Sequence, residues 1–491
     1  MDRRRRAAGR RRPPPRGSEP PPRGGLLRVN RDPADRASPL VTDYYALTML
    51  ATYLETGRTG TAVFEFFVRP PLPASRRFFV AAGLGEVIDD LLALETRDDE
   101  RAWLAGEGLL TSRPVRHYVE ELRFTGDVDA VPEGTVVFPD EPLLRVRAPL
   151  PLAQLVEARL INSLHYPTLV ASKAARMVLA ARPGTTLVDF GLRRAPGAEA
   201  GLMLARASYI AGFDGTATVP AGRRYGIPLY GTMAHSFVLA YPNEEEAFLA
   251  YARTHREDVT LLIDTYEERD AAHTVGRLHA RLAREGISLR AVRLDSGDLA
   301  ARARDVRTIL DAHGAKSVRI FASGGIDEHT IADHVRRNAP IDGYGIGTLL
   351  ANSSDVPHLN CAYKLVAYDN QPRRKFSTGK ATRPGAKQVF RTHDARGRMK
   401  EDVIGLEGED IPGDPLLVPV VRRGERLTPE EPLEHIRERV RTGLAALPDE
   451  LREIDDTPPS RPYPVRTSRG LAALTDSLTP PSPSAPRVVP P

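Results

Sequence analysis

Apolar residues in this chain cluster in short runs, and each run ends on a polar or glycine-rich tip. Leu187-Val188-Asp189-Phe190-Gly191, Leu261-Leu262-Ile263-Asp264-Thr265, Val292-Arg293-Leu294-Asp295-Ser296-Gly297-Asp298, Ile320-Phe321-Ala322-Ser323-Gly324-Gly325 and Gly343-Tyr344-Gly345-Ile346-Gly347-Thr348 share this form. So does Gly226 to Tyr230, which reads as a buried strand feeding the loop Gly231-Thr232-Met233-Ala234-His235-Ser236. Between Asp264 and Gly347 the spacers have helical periodicity, so the unit is strand, loop, helix, repeated. Parallel strands need crossovers of about that length. The pattern predicts an α/β fold whose centre, residues 161–362, is an irregular TIM-like α/β barrel with its polar strand ends gathered on one rim.

The flanks have a different rhythm. Thr42 caps a predicted helix in which Tyr44, Leu47, Ala51 and Leu54 recur at helical spacing, ending near Gly57. Val63 to Val68 reads as a strand, Gly83 to Leu94 as a helix, and Arg123 to Arg147 as turns alternating with β-branched runs. Helices are expected over Leu152 to Leu164 and Ser172 to Ala181. Beyond the barrel, Tyr363 to Tyr368 and Lys387 to Arg391 read as strands, and Thr428 with Glu431 forms a capping box for a charged helix from Pro429 to Leu447. Residues 39–160 joined by 363–455 are therefore expected to form a discontinuous mixed α+β companion domain. The Arg/Pro-rich tail 1–38 and the Pro/Ser-rich tail 456–491 are expected to be disordered termini.

Charge matters mainly at one end. The chain of 491 residues carries a formal +5, but residues 1–38 hold 12 Arg against 4 Asp plus Glu, a balance of +8 that leaves about −3 for the other 453. The body is not basic, so a nucleic-acid partner is not expected, and the tail reads as a disordered extension. The one cysteine, Cys361, has no partner for an internal disulfide, and no apolar stretch approaches the roughly 18 residues that cross a bilayer. A cytoplasmic setting without membrane attachment is the expectation.

Several strand ends carry candidate chemistry. Ser323, Gly324 and Gly325, and then Gly345, Gly347 and Thr348, close successive late strands, where glycines let backbone N–H groups turn toward an anion. Together they form a candidate phosphate site; each alone is also compatible with a tight turn, and Thr348 with a helix N-cap. Arg293 and Asp295 leave their strand on one face. They read as an ion pair in the barrel mouth or, with Ser296 and Asp298, as a polar cluster for sugar hydroxyls, a metal-bound diphosphate or developing positive charge. Arg193 and Arg194 suit carboxylate or phosphate oxygens, or form a solvated pair. His235 suits work as base, acid or nucleophile, or a structural place in its loop. His329 and His334 are off register for a shared ion and no strand end carries a lysine, so neither a protein-built metal site nor Schiff-base chemistry is expected.

Taken in order, Thr42-Asp43-Tyr44-Tyr45, Phe190-Gly191-Leu192-Arg193-Arg194, Gly212-Phe213-Asp214, Gly231-Thr232-Met233-Ala234-His235-Ser236, Arg293-Leu294-Asp295-Ser296-Gly297-Asp298 and Gly345-Ile346-Gly347-Thr348 resemble the nicotinate phosphoribosyltransferases, over about residues 39 to 395. The resemblance implies ATP-coupled formation of nicotinate mononucleotide and diphosphate from nicotinate and 5-phosphoribosyl 1-diphosphate, with Mg²⁺, in cytosolic homodimers whose active site draws on both subunits. It implies phosphohistidine at His235, nicotinate contacts from Tyr45, Thr232 and Arg293, and a phosphoribosyl diphosphate contact from Thr348. Asp295 suits stabilisation of charge on the sugar. The segment Asp214-Gly215-Thr216-Ala217 is poorer in hydroxyls than the family pattern, and no binding role is carried onto it. The alternatives are the nicotinamide-using relative and another phosphate-binding barrel enzyme, an isomerase or aldolase.

Overall fold

The computed structural model describes residues 38–70, 76–377, 379–455, 457–459 and 461–479. All of the predicted N-terminal tail except Ser38 lies outside the described residues, as does 480–491 of the predicted C-terminal one.

Six strands form one sheet in the order Gly215–Thr216, Thr186–Asp189, Gly343–Ile346, Arg319–Ser323, Leu289–Leu294, Val259–Leu262. Every neighbouring pair is parallel. The helices Ala198–Ile210, Glu268–Arg284, Leu299–Ala312 and Glu328–Arg336 make the crossovers. Their spacing explains the packing: Glu268–Arg284 buries Ala271, Val275, Leu278 and Leu282 along one face. Among the described residues the two edge strands do not pair with each other, so the irregular TIM-like barrel expected takes the form of a curled parallel half-barrel.

The segment Gly226 to Tyr230 departs from its expected strand. Gly226, at φ +69°, closes the helix Val219–Tyr225, and Pro228 brings no N–H to a ladder. Only a single bridge joins Leu229 to Thr216, and Leu229 is 53 % exposed. The edge of the sheet belongs to Gly215–Thr216 instead.

Segments from both sides of the half-barrel build a second, antiparallel sheet. Thr61–Val68 pairs on one side with Pro142–Pro149 and on the other with Cys361–Tyr368. Asp127–Ala130 and Val418–Arg422 extend it. The two expected helices over Leu152 to Leu164 and Ser172 to Ala181 are instead Leu150–Leu155 and one continuous Glu157–Ala180 that passes through Pro167. Proline leaves the Ser163 carbonyl without its helical donor. Gly83, at φ +95°, packs against that carbonyl so closely that a Cβ there would stand 2.0 Å from it. Leu160, Leu164 and Leu169 of this helix join the core under the antiparallel sheet, while Val170, Ala174 and Met177 join the half-barrel core, so one helix is the seam between both.

Three boundary features also differ. Thr42 does not cap its helix; Tyr44–Glu55 starts after Asp43, and the Thr42 hydroxyl donates to the Leu155 carbonyl at 3.0 Å. The late helix is Leu433–Ala446, begun by Pro432, and Glu431 binds Arg439 rather than completing a capping box. The tail expected from 456 onward is partly built: Val465–Thr467 pairs with Met399–Leu406, and Arg469–Ser477 buries Leu471 under an N-cap from Ser468. Composition missed this because Tyr463, stacked on Phe138 at 3.8 Å, and Leu471 supply enough apolar contact to hold a Pro-rich strand. No helix among the described residues is long and apolar enough to cross a membrane.

Candidate active site

The polar tips of the parallel strands meet at one rim. His235 opens the short helix His235–Leu239, directly after the Gly231 to Ala234 loop. Its Nδ1 lies 3.1 Å from Thr265 Oγ1, just past Val259–Leu262, and its Nε2 lies 4.0 Å from Asp295 Oδ2, just past Leu289–Leu294. Asp295 in turn accepts from the Ser323 hydroxyl at 2.5 Å. The loop is fixed from behind by Asp264, whose Oδ2 accepts from the Asp295 N–H at 2.8 Å and the Ser296 hydroxyl at 3.0 Å. Its other oxygen, Oδ1, is buried without a partner.

Arg293 sits one layer deeper, in register with Leu262 and Phe321 on the flanking strands. Its Nη2 donates to the Met233 carbonyl at 3.1 Å, while its Nε is buried with no acceptor. Burial lowers its pKa, with Asp295 and Asp264 opposing that shift. Beside it lies a cavity of about 280 Å³ whose lining includes Phe190, Tyr230, Thr232 and Phe321. Aromatic walls with the Arg293 guanidinium among the lining residues make a slot for a flat anion. Thr232 faces the same cavity, and its hydroxyl donates to the Met233 carbonyl at 3.1 Å.

The two glycine turns close the rim. Gly324 stands at φ +91°, and a Cβ there would lie 2.2 Å from the Asp295 carbonyl; Gly325, at φ +65°, faces open space. Ser323 is in register with Gly345 on the adjacent strand, which puts the second turn beside the first. Gly347 precedes the short helix Thr348–Ala351, with Thr348 exposed at its start. Arg193 lies exposed in the 3-10 turn Leu192–Arg194, near enough for its charge to act on Arg293. Thus His235, Asp295, Arg293, Thr232 and the glycine turns share one mouth.

Tyr45 is not among them. It lies on Tyr44–Glu55, where its hydroxyl donates to Glu157 Oε2 at 3.2 Å, and burial followed by the Glu157 charge pushes it up to about 12. Sequence reading gave no role to Asp264 or Thr265, although both end one of the apolar runs. Glu244 gave no such signal, because an acidic first turn reads as solvated surface; burial, then Asp270 and Asp264, push its carboxyl up to about 7. Among the described residues no group of three or more His, Cys, Asp or Glu side chains is arranged to hold a metal ion.

A parallel half-barrel that carries an imidazole–carboxylate pair, an anion slot and two glycine turns on one rim is an enzyme architecture for a phosphorylated substrate and a small anionic partner. Comparison with known proteins gives the family. Residues 40–165 match the nicotinate phosphoribosyltransferase N-terminal domain, and residues 185–373 match the nicotinate phosphoribosyltransferase family. The chain belongs to the nicotinate phosphoribosyltransferase family. It is 46 % identical over 430 residues to nicotinate phosphoribosyltransferase pncB2 of Mycobacterium tuberculosis, covering 87 % of this chain and 91 % of that one. It is 37 % identical over 385 residues to the Bacillus subtilis nicotinate phosphoribosyltransferase, covering 77 % and 78 %. The crystal structure of human nicotinic acid phosphoribosyltransferase superposes with a TM-score of 0.79 at 30 % identity, covering 89 % of this chain and all of that one.

Proposed function

We propose that the chain joins nicotinate to 5-phosphoribosyl 1-diphosphate in NAD salvage, coupled to ATP through His235. The observation that carries this reading is the largely buried guanidinium of Arg293, to which no carboxylate of the described residues is hydrogen-bonded, among the lining residues of an aromatic-walled cavity beside the rim. An anionic ring acid pairs with that guanidinium, whereas neutral nicotinamide brings no charge to it. The pyridine nitrogen then attacks ribose C1 as its bond to diphosphate breaks, and the positive charge developing on the sugar falls beside Asp295. The turns at Ser323-Gly324-Gly325 and Gly347-Thr348, with Arg193, receive the phosphate oxygens.

ATP transfers its terminal phosphoryl group to the His235 imidazole and leaves as ADP; water later cleaves the phosphohistidine to free phosphate. The Thr265 hydroxyl holds one ring nitrogen, and Asp295 faces the other. The orphaned oxygens Asp264 Oδ1 and Glu244 Oε1 suit a hard cation, so Mg²⁺ carried in by the diphosphate would be held there and would neutralise its leaving charge. A homodimer fits the surface: Tyr44 and Tyr45 are 68 % and 46 % exposed on one side, and Leu229, Leu239 and Tyr266 are 53 %, 59 % and 60 % exposed around the mouth. Tyr45 from a second copy would then complete the slot. The setting is cytoplasmic.

The test is parallel incubation of the purified protein with 5-phosphoribosyl 1-diphosphate, Mg²⁺, and either nicotinate or nicotinamide, followed by product mass. Nicotinate mononucleotide is the expected product; preferential use of nicotinamide overturns the reading.

A further inference from the structure

We infer that a buried ionic chain, Arg76–Asp355–Lys173–Glu328–Arg176, positions the two glycine turns relative to each other and thereby sets the affinity for phosphoribosyl diphosphate. The inference rests on the reading of those turns as the phosphoribosyl diphosphate site.

Each carboxylate of the chain belongs to a segment that trails one turn. Glu328 follows Gly325 by three residues and begins the helix Glu328–Arg336. Asp355 follows the helix Thr348–Ala351 that Gly347 begins. Lys173, on the seam helix Glu157–Ala180, clamps both: its Nζ is 2.6 Å from Glu328 Oε2 and 2.7 Å from Asp355 Oδ1. Arg176, one turn further along, meets Glu328 Oε1 at 3.0 Å. Arg76 reaches Asp355 with Nε and Nη2, both at 3.1 Å, and its Nη2 also donates to the Ser353 hydroxyl at 2.6 Å.

All three cations and Glu328 are 1 % exposed or less. Burial pushes the Asp355 carboxyl up, but Arg76 and Lys173 outweigh it and hold the group well below the usual carboxylate range. Ionic chains this deep give little net stability over apolar packing of the same shape, but they fix geometry, because each charge tolerates only a narrow range of partner positions. Ser353 shows the constraint directly: it is a non-glycine residue at φ +41°, fully buried, with its hydroxyl held by Arg76. None of the five members of the chain, nor Ser353, lines the rim cavity, so these six act as positioning residues.

The test is steady-state kinetics on Glu328→Gln, Ser353→Ala and the double variant, with Thr348→Ala as a direct change in the turn. Each single positioning variant is expected to raise KM for phosphoribosyl diphosphate about tenfold, with KM for nicotinate moving less than about twofold, as sub-ångström misplacement of a binding loop implies. Because one chain links the two sites, the double variant is expected to fall short of the product of the singles. A lowered Tm with both KM values unchanged, or two effects that simply multiply, overturns the positioning role. Thr348→Ala without effect on the phosphoribosyl diphosphate KM overturns the reading of the turns themselves. Should Glu328→Gln fail to fold, Arg76→Lys paired with Ser353→Ala and Thr348→Ala gives the same KM comparison.

Discussion

Nε2 of His235 lies 4.0 Å from Oδ2 of Asp295, on a ring whose other nitrogen is held at 3.1 Å by Thr265. The carboxylate is itself pinned by Ser323 and by its own N–H on Asp264, so its charge has a fixed place at the rim. A fixed charge needs no reorganisation when a cationic sugar develops. Asp295→Asn is therefore expected to lower kcat by about 10²–10³-fold, the usual effect of removing one preorganised electrostatic group, with KM for nicotinate nearly unchanged. Equal loss in kcat/KM through nicotinate KM alone would place Asp295 in base binding instead.

Arg293 gives a separate prediction. Charged hydrogen bonds are worth about 1.5–3 kcal/mol, so Arg293→Gln is expected to raise KM for nicotinate by roughly 10- to 100-fold. Phosphoribosyl diphosphate KM is expected to move much less. Initial rates with each substrate varied in turn make the comparison, and a rise confined to phosphoribosyl diphosphate contradicts the slot.

Gly324 has no room for a side chain. Its φ of +91° and the Asp295 carbonyl 2.2 Å from a built Cβ both oppose substitution. Gly324→Ala is expected to cost about 1–3 kcal/mol in thermal or denaturant unfolding and to displace the Asp295 loop. Gly325→Ala, with positive φ but open space around its Cβ, is expected to cost less. The reverse order contradicts the backbone geometry.

Asp189 makes stability depend on pH. It is fully buried, and burial pushes its carboxyl up from 3.8 to about 6 despite hydrogen bonds from Thr216 and the Gly191 N–H. Below pH 4 both folded and unfolded chains hold the proton; between about 4 and 6 only the folded chain does. Stability from this group is therefore greatest at low pH and falls by about 2–3 kcal/mol as pH rises through that window, then levels. Unfolding free energies for the wild type and Asp189→Asn across pH 4–7 are expected to differ in slope by up to one proton there; parallel curves contradict the assignment.

The half-barrel and most of its rim were legible in the sequence because a parallel strand buried on both faces must be a continuous apolar run, and its polar residues can fall only at the ends. That rule makes Asp295 and both glycine turns legible as strand tips, whereas His235, which follows no strand, and Arg293, which lies within one, were legible only through the motifs that contain them. The strand expected at Gly226 to Tyr230 misled because Ile227 and Leu229 suggest burial, whereas Pro228 and the left-handed Gly226 decide the backbone. The helix through Pro167 was hidden because a proline reads as a break between two helices, while the packing that holds this helix together, including the close approach of Gly83 to the Ser163 carbonyl, comes from residues remote in the chain. Tyr45 belongs to a motif expected at the nicotinate site, yet in this chain it lies on another surface with its hydroxyl on Glu157, a placement that the local sequence around it does not reveal.

The most direct test of the central claim is to follow terminally labelled ATP onto the protein, with nicotinate mononucleotide formation measured with and without ATP, in wild type and His235→Ala. Label on the wild-type chain, none on the variant, and loss of ATP stimulation with a slow ATP-independent reaction remaining are expected. Unchanged ATP stimulation in His235→Ala, or loss of both reactions with the fold intact, would contradict the phosphohistidine role.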